Sequence, residues 1–288
     1  MRVALLKYNR TPQIEEQITL AATHGIQIDM IALRALDMTS LEDSVDMKKL
    51  ASYDVVHYYA SANPAISWLL KEKLQGKTAL VNMDELCLRT ANDKAMQAVF
   101  LKGKLRTPQT LTASHDDTYE TISSILGETF VLKKSSGAHG EGVFLVHSSA
   151  ELQALQQELR HCDAMIYQEF IAYDGDFRVH VIGGTAIYAN RRVPRADDFR
   201  ANLAQGGSME AIHDPELLKR LYAFAEKAAT LLHYDIAGVD IVQSSQNGEL
   251  YFIEINRNPG TKNIQELLSI NPEKALVDYY ETHKNPLE

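Results

Sequence analysis

Residues 130–146 read FVLKKSSGAHGEGVFLV, and this stretch predicts two apolar strands joined by a glycine-rich loop. In such a loop, backbone N–H groups can close over a phosphate while Lys133 on the first strand supplies positive charge. Many hairpin turns are equally rich in glycine, so the pattern by itself leaves a plain turn open. Alternation along the strand puts Lys133 and Lys134 on opposite faces, without deciding which of the two meets the phosphates. The loop glycines are Gly137, Gly140 and Gly142.

Two further apolar segments, nearer the C-terminus, carry oxygen-bearing side chains. GVDIV at residues 238–242 and LYFIEIN at residues 250–256 are typical of neighbouring β-strands. Glu254 and Asn256 lie two positions apart, so their side chains share one face of the strand. The opposite face is predicted to be the core face, and its residues are Tyr251, Ile253 and Ile255.

The connection between these two strands decides whether Asp240 and Glu254 meet. A two-residue turn at Asn247-Gly248 would put them on opposite faces, whereas a three-residue loop with a left-handed Gly248 puts them directly opposite each other. We predict the three-residue loop. Two facing carboxylates repel by about 4 kcal/mol at an effective dielectric of about 20, unless a cation lies between them. Oxygen ligands without His or Cys favour magnesium, so Asp240, Glu254 and Asn256 are predicted to bind Mg²⁺ (or Mn²⁺).

Arginines are concentrated between residues 178 and 200. The planar guanidinium group suits carboxylates and phosphates, although any single surface charge is usually just solvated. Five arginines in so short a stretch of a chain with net charge −9 favour anion binding. They are Arg178, Arg191, Arg192, Arg195 and Arg200.

Composition excludes several classes of protein. The chain has 288 residues, of which 45% are apolar and 23% charged, and this length predicts about two domains. The acidic balance argues against a nucleic-acid partner, and no apolar run approaches the roughly 18 residues of a membrane span. Cys87 and Cys162 are too far apart for a zinc motif, which favours reduced thiols and a cytoplasmic location.

The first part of the chain alternates strand and helix patterns, which predicts a small parallel α/β domain. The predicted strands lie near residues 3–7, 28–33, 53–59 and 78–82, with helices near 13–24 and 63–74. Tyr8, Asn9 and Arg10 follow the first strand at the place where a dinucleotide site needs glycines. A classical NAD-binding turn is therefore not predicted.

The order of the motifs resembles the ATP-grasp superfamily, and within it the branch of the ribosomal-protein glutamate ligase RimK. The motifs are Asn92-Asp93-Lys94, FVLKKSSGAHGEGV, YQEFI, DFRVHVIGG, NRRVPRADDFRANLAQGG, IAGVDIV and FIEINRNPG. The resemblance covers roughly residues 90–270. It implies an α/β (α+β) ATP-grasp fold preceded by the small parallel α/β domain. The expected domains are an N-terminal domain (1–88), a lid domain with the glycine-rich loop (89–165) and a C-terminal lobe with the metal site (166–288).

The resemblance also implies roles for individual residues in binding ATP. Lys94 and Lys133 match lysines that contact the phosphates, and Arg200 is expected to stabilise the transferring phosphoryl group. Glu169 and Phe170 match the segment that holds the adenine edge. The other residues that match nucleotide-binding segments are Gly137, Gly140, Gly142, Asp176 and Asn202, and the family's magnesium ligands match Asp240, Glu254 and Asn256.

The activity that the resemblance implies is ligation of a carboxylate to an amine through an acyl phosphate, with release of ADP and phosphate. The expected partners are a carboxylate substrate and an amine substrate, with glutamate as the first candidate for the added amino acid and a small molecule, peptide or protein terminus as acceptor. Family members often form oligomers, so a homo-oligomer is also expected. A regulatory nucleotide-binding protein without ligase activity, and a kinase or carboxylase on the same fold, remain alternatives.

The sequence departs from the family pattern directly after the second metal-binding strand. The family often has Asn-Ala-Ser-Pro-Gly there, whereas Asn256 is followed by Arg257-Asn258-Pro259-Gly260. This segment lies where substrates are shaped, so the identity of the acceptor does not carry over from the family.

Overall fold

Three β-sheets organise the part of the chain that this computed structural model describes, namely residues 1–33, 45–59, 64–137, 142–162, 164–195 and 207–283. The first sheet has the order β2-β1-β3-β4 and all its strands are parallel, which confirms the predicted parallel α/β unit. Its elements are β1 (Arg2–Lys7), α1 (Pro12–Thr23), β2 (Gln27–Ala32), α2 (Val45–Leu50), β3 (Val55–Tyr58), α3 (Pro64–Leu74) and β4 (Ala79–Val81). Thr11 caps α1 and Pro12 occupies its first turn, where a missing N–H costs nothing.

The second sheet is antiparallel, with the order β5-β8-β6-β7. Its part of the chain contains α4 (Glu85–Thr90), α5 (Lys94–Leu101), β5 (Thr110–Thr112), α6 (Tyr119–Leu126), β6 (Phe130–Lys134), β7 (Val143–Val146), α7 (Ser149–Glu158) and β8 (Met165–Glu169). Phe130 and Tyr167 pack edge to face in its core, with ring centroids 5.6 Å apart. The expected boundary between residues 165 and 166 falls inside β8, so a boundary after Glu169 keeps this sheet whole.

The third sheet has five antiparallel strands in the order β11-β10-β9-β12-β13. Its elements are β9 (Asp176–Ile182), β10 (Thr185–Val193), β11 (Ser208–Ala211), α8 (Pro215–Leu231), β12 (Ile236–Gln243), β13 (Leu250–Asn256), α9 (Ile264–Leu268) and α10 (Pro272–Thr282). Helix α8 packs on this sheet through an apolar stripe that consists mostly of alanines, which lets its backbone approach closely. The stripe consists of Leu221, Ala225, Ala228 and Ala229.

None of the helices in the described ranges is both long enough and apolar enough to cross a bilayer. The longest of them, α8, has 17 residues and alternates buried alanines with charged positions. Its burial pattern is that of a helix that covers one face of a sheet.

Asn82 joins the first sheet to the third. It has a left-handed φ of 56° directly after β4. Its side-chain amide donates to the carbonyls of Ile236 (2.9 Å) and Arg257 (3.2 Å). Its Oδ1 accepts from the backbone N–H groups of Asp235 and Ile236, each at 3.0 Å. One buried side chain therefore satisfies four backbone groups at the start of β12 and the end of β13.

We predict that Asn82→Ala lowers the free energy of unfolding by about 2–4 kcal/mol, because it leaves buried backbone groups without partners. Asn263→Ala is the matched control: Asn263 has a similar φ of 65° but is exposed and makes no side-chain capping bond. It should cost no more than about 1 kcal/mol. Urea denaturation followed by circular dichroism measures both values, and equal losses for the two variants would contradict the role assigned to Asn82.

Candidate functional site

Asp240 and Glu254 lie directly opposite each other on the paired strands β12 and β13, as predicted. The predicted three-residue loop is wrong, because the N–H of Ser244 donates to the carbonyl of Glu249 (2.9 Å) around a four-residue loop. Gly248 in this loop has a φ of 70°, the left-handed conformation expected of it. A four-residue loop alone would leave Asp240 one residue out of register with Glu254.

A β-bulge in β13 restores the register. Ile241 pairs with Phe252, whereas Asp240 pairs with the residue two positions later, so Ile253 is the extra residue. Without the bulge, Glu254 would lie on the same face of β13 as Phe252, which is the face that packs into the core. The prediction that Tyr251 and Ile253 face the core is therefore wrong, whereas the same prediction is confirmed for Ile255. The core residues of β13 are Leu250, Phe252 and Ile255.

Asp240 is held by two arginines of the same sheet, Arg178 on the adjacent strand β9 and Arg192 on β10 beyond it. Arg178 donates from Nε and Nη2 to the two carboxylate oxygens, each at 2.7 Å, and Nη2 of Arg192 lies 2.9 Å from Oδ2. Arg192 also donates to Oδ2 of Asp176 (2.7 Å). Burial opposes the charge of Asp240, but the two guanidinium groups hold the pKa of its carboxyl well below the usual range.

The arginine cluster predicted to bind external anions is therefore partly used within the protein. Arg178 and Arg192 pair with Asp240 and Asp176, both of them largely buried. Arg191 donates to the carbonyl of Asp174 (2.8 Å) and lies 3.4 Å from Glu210. These arginines do bind carboxylates, as their planar guanidinium groups suggested, but the carboxylates belong to the same chain.

The three side chains predicted to bind magnesium offer a donor set that is compatible with it. Nδ2 of Asn256 donates to Oε1 of Glu254 (2.8 Å), which confirms that the two share a face. A carboxylate has about four lone-pair positions, and the arginines occupy three of those on Asp240, so one remains at Oδ1. An all-oxygen set without His or Cys suits Mg²⁺ better than zinc.

Lys133, and not Lys134, points towards this carboxylate group. Its side chain is only 4% exposed and donates to Oε1 of Gln168 (2.7 Å). Burial and the nearby charge of Lys94 lower the pKa of Lys133 to about 7, against the pull of Glu254. Lysines whose pKa is lowered this strongly, and which have no carboxylate hydrogen-bonded to them, are found mainly at functional sites.

Lys94 connects the glycine-rich loop to the hairpin that carries the carboxylates. Its Nζ donates to the carbonyl of Gly137 (2.9 Å) and lies 3.3 Å from Oε2 of Glu254. At the other end of the loop, Gly142 has a φ of 69°, and a Cβ there would lie 2.8 Å from Cδ of Lys134. The left-handed conformation favours a glycine at this position, and a larger residue would also displace the side chain of Lys134.

Of the remaining predicted site residues, the structure describes Glu169 and Phe170, which lie apart from this group. The carboxylate of Glu169 accepts from the backbone N–H of Gln109 (3.0 Å), and Phe170 follows it half-buried. Among the residues described, neither has a hydrogen bond or ion pair with the hairpin carboxylates. Three other predicted residues lie outside the described ranges: Gly140, Arg200 and Asn202.

A cavity of about 460 Å³ borders the hairpin and separates it from the first sheet. Five basic and two acidic side chains line it, and two of the basic ones, Arg178 and Arg192, are paired with Asp240 and Asp176. The remaining excess of positive charge comes from Lys7, Arg257 and Lys262, although the whole chain is acidic. Sequence reasoning missed Lys7 and Arg257, which both line it. The position of Lys7 at the carboxyl end of β1 was an available signal, because ligands of parallel sheets bind at that edge.

This combination of sheets, loop and paired strands defines a protein with the ATP-grasp fold. The solved RimK domain protein ATP-grasp from Sphaerobacter thermophilus has a TM-score of 0.74 to this chain, with 97% of this chain and 99% of that chain covered. The two sequences are 17% identical, so the similarity establishes the fold.

Within that fold, the chain belongs to the RimK-like ATP-grasp family. Residues 91–280 match the sequence profile of the RimK-like ATP-grasp domain, which confirms the resemblance found in the motifs. A probable alpha-L-glutamate ligase 2 of Hahella chejuensis is 32% identical over 201 residues, which is 68% of this chain and 64%, or just under two thirds, of that relative. A probable alpha-L-glutamate ligase of Vibrio parahaemolyticus is 29% identical over 299 aligned positions, with 99% and 97% covered.

We predict that Lys133 loses its proton as the pH rises through about 7, far below the ordinary range of lysine, because burial penalises the ammonium form. Side-chain NMR of isotope-labelled lysine measures this as one Cε resonance that titrates near neutrality. Lys133→Met should remove that resonance and leave the others in place. A midpoint in the ordinary lysine range would contradict the burial argument.

Proposed function

We propose that this protein is an ATP-dependent carboxylate–amine ligase that forms an amide bond through an acyl phosphate. The observation that carries the proposal is the convergence of two lysines and the hairpin carboxylates. Lys133 is buried beside Lys94, and Lys94 joins the carbonyl of Gly137 to Glu254. Positive charge on one side and oxygen ligands on the other are what the phosphates of a nucleotide and their magnesium require.

The proposed chemistry needs no nucleophile from the protein. An oxygen of the substrate carboxylate attacks the γ-phosphorus, and the bond to the β,γ-bridging oxygen breaks, which releases ADP. The amine nitrogen then attacks the acyl carbon; the C–N bond forms, the C–O bond to phosphate breaks, and the proton of the amine passes to the departing phosphate or to solvent. Positioning and neutralisation of charge are the tasks left to the enzyme.

Each proposed residue has a task in binding or charge neutralisation. Mg²⁺ held by the hairpin oxygens would supply a Lewis acid for the phosphate oxygens. Lys94 and Lys133 bind the phosphates, whose negative charge restores the ammonium form of Lys133. Arg200 is proposed to stabilise the transferring phosphoryl group. The hairpin oxygens belong to Asp240, Glu254 and Asn256.

The proposed substrates are a carboxylic acid and an amino acid, with glutamate as the first candidate. The names of the relatives, alpha-L-glutamate ligases, support an amino acid as one substrate. The cationic wall of the cavity supports an anionic molecule in it. The cavity adjoins Glu254 and Asn256, so a molecule bound there lies next to the proposed phosphate site.

ADP release, measured across a matrix of amino acids, short peptides and small acids, tests the proposed reaction. We expect ADP and a new amide, seen by mass spectrometry, for at least one acid–amine pair. Glu254→Gln should lower this rate at least about 100-fold, because the ligand charge is lost while the shape is kept. Its circular dichroism spectrum should match that of the unchanged protein.

Each other outcome of this matrix contradicts a stated part of the proposal. ADP without an amide would indicate a kinase or carboxylase, and no ADP in any combination would favour a regulatory nucleotide-binding protein. Near-normal turnover by Glu254→Gln would refute the metal assignment alone.

Two adjacent lysines provide a matched pair for the phosphate contact. Lys133→Ala should raise the KM for ATP at least about tenfold, because a charge-assisted contact to phosphate is removed. Lys134→Ala should leave it nearly unchanged, since the aliphatic part of Lys134 packs over Gly142 on the other face. Steady-state kinetics measure the KM for ATP of both variants. A larger increase for Lys134→Ala than for Lys133→Ala would show that the face of β6 that carries Lys134 meets the nucleotide.

A further inference from the structure

Arg257 is a buried guanidinium group without an acidic partner among the described residues. It is 6% exposed, and its Nε and Nη1 atoms make no hydrogen bond there. Its Cζ lies 4.9 Å from the centroid of the Tyr58 ring, a contact that offsets part of the cost of burial. Arg178 and Arg192 on the same cavity wall are each balanced by Asp240. A buried charge without a counter-charge is costly, so an external anion would stabilise Arg257.

Lys7 approaches the same cavity from the first sheet. Its Nζ lies 4.9 Å from the centroid of the Tyr59 ring, and burial lowers the pKa of its ammonium group although Glu273 opposes this. Burial lowers the pKa of His57 most strongly, and the charges of Lys7 and Arg257 lower it further. Both cations therefore line the same cavity and lie within electrostatic range of the same buried side chain.

The two acids that line the cavity form no ion pair with Lys7 or Arg257 among the described residues: Glu254 pairs with Lys94, and Oε1 of Glu273 accepts from Oγ1 of Thr261 (2.7 Å). Glu273 acts on Lys7 only over a longer range. Burial raises the pKa of Glu273, which weakens it as a counter-ion. The region thus keeps positive charge that a ligand can neutralise.

We infer that Arg257 and Lys7 bind a carboxylate of the carboxylic-acid substrate that takes no part in the reaction, so that the cavity selects an acid that carries a second carboxylate. This inference rests on the proposed function only in the choice of the reacting group. A guanidinium binds a planar carboxylate through two parallel hydrogen bonds, which a neutral amide cannot reproduce. Arg257 stands where the family motif has a small alanine, so the subsite is a property of this chain.

Pairs of ligands that differ in one carboxylate test the inference: L-glutamate with L-glutamine, and L-aspartate with L-asparagine. Isothermal titration calorimetry of the whole protein, with Mg²⁺ and a non-hydrolysable ATP analogue present, gives each Kd. We expect at least one acid to bind at least about tenfold more tightly than its amide, as the loss of a charge-assisted hydrogen bond predicts. No preference for either acid would overturn the inference.

Variants separate recognition from structural support. Arg257→Met should weaken binding of the acid to the level of its amide while binding of the amide stays unchanged; a merely structural residue would affect both. Lys7→Met should reduce the preference as well and is an independent test. Lys262→Met, which removes an exposed basic residue of the same cavity, is the control that keeps the preference. Retained preference in both Arg257→Met and Lys7→Met would refute the subsite.

Thermal unfolding of the ligand-free protein supplies a second readout. Because Arg257→Met removes an uncompensated buried charge, its Tm should equal or exceed that of the unchanged protein. A large fall in Tm together with weaker binding of acid and amide alike would assign Arg257 a structural role instead.

The inference and the proposed function fail in different ways. A protein that prefers the acid but releases no ADP in the matrix would refute the ligase and keep the subsite. A ligase that uses amides as well as acids would refute the subsite and keep the ligase.

Discussion

The extra residue in β13 determines which side chains reach the candidate site. Phe252 and Ile255 both face the core, and they do so only because Ile253 is inserted between the pairings of Phe252 and Glu254. The insertion turns Glu254 away from the core and places it opposite Asp240. Everything proposed about magnesium, Lys94 and the phosphates depends on that register, since a regular strand would bury the glutamate among apolar side chains.

Charge balance around the hairpin separates the basic groups into two kinds. Arg178 and Arg192 are neutralised by Asp240 and Asp176 inside the sheet, and Lys94 lies next to Glu254. Those pairs fix geometry and leave little net charge. Lys133, Lys7 and Arg257 have no such ion-pair partner among the residues described, and they lie at two places. The first adjoins the proposed phosphates and the second lies in the cavity, so each place can take its own anion.

The local sequence pattern predicted some features of the fold and the candidate site but not others. Alternating strands and helices predicted the parallel sheet, because each such unit must bury its own strand. The facing of Asp240 and Glu254 was predicted through a three-residue loop that does not exist. A four-residue loop with a bulge gives the same pairing of Asp240 with Glu254 as a three-residue loop without one. The two arrangements differ in which residues of β13 face the core, and the packing of Leu250 and Phe252 there distinguishes them.

The cavity itself could not be predicted locally, because its walls come from distant parts of the chain. Lys7 is on the first sheet and Arg257 follows the third, and both line the cavity because the two parts of the chain pack together, with Asn82 as one of the contacts between them. The Arg257 carbonyl that Asn82 holds belongs to the residue whose guanidinium is proposed to bind the second carboxylate.

That tether gives the subsite a defined position relative to the hairpin. Asn82 bonds both to the first residue of β12 and to the residue after β13, so the distance from Arg257 to Glu254 is set by a rigid hairpin. A molecule that reaches from the phosphate site to Arg257 must therefore have a particular separation between its two carboxylates. The site then selects its ligand by length as well as by the charge that Arg257 recognises, because a ligand that is too short loses one contact with a rigid site.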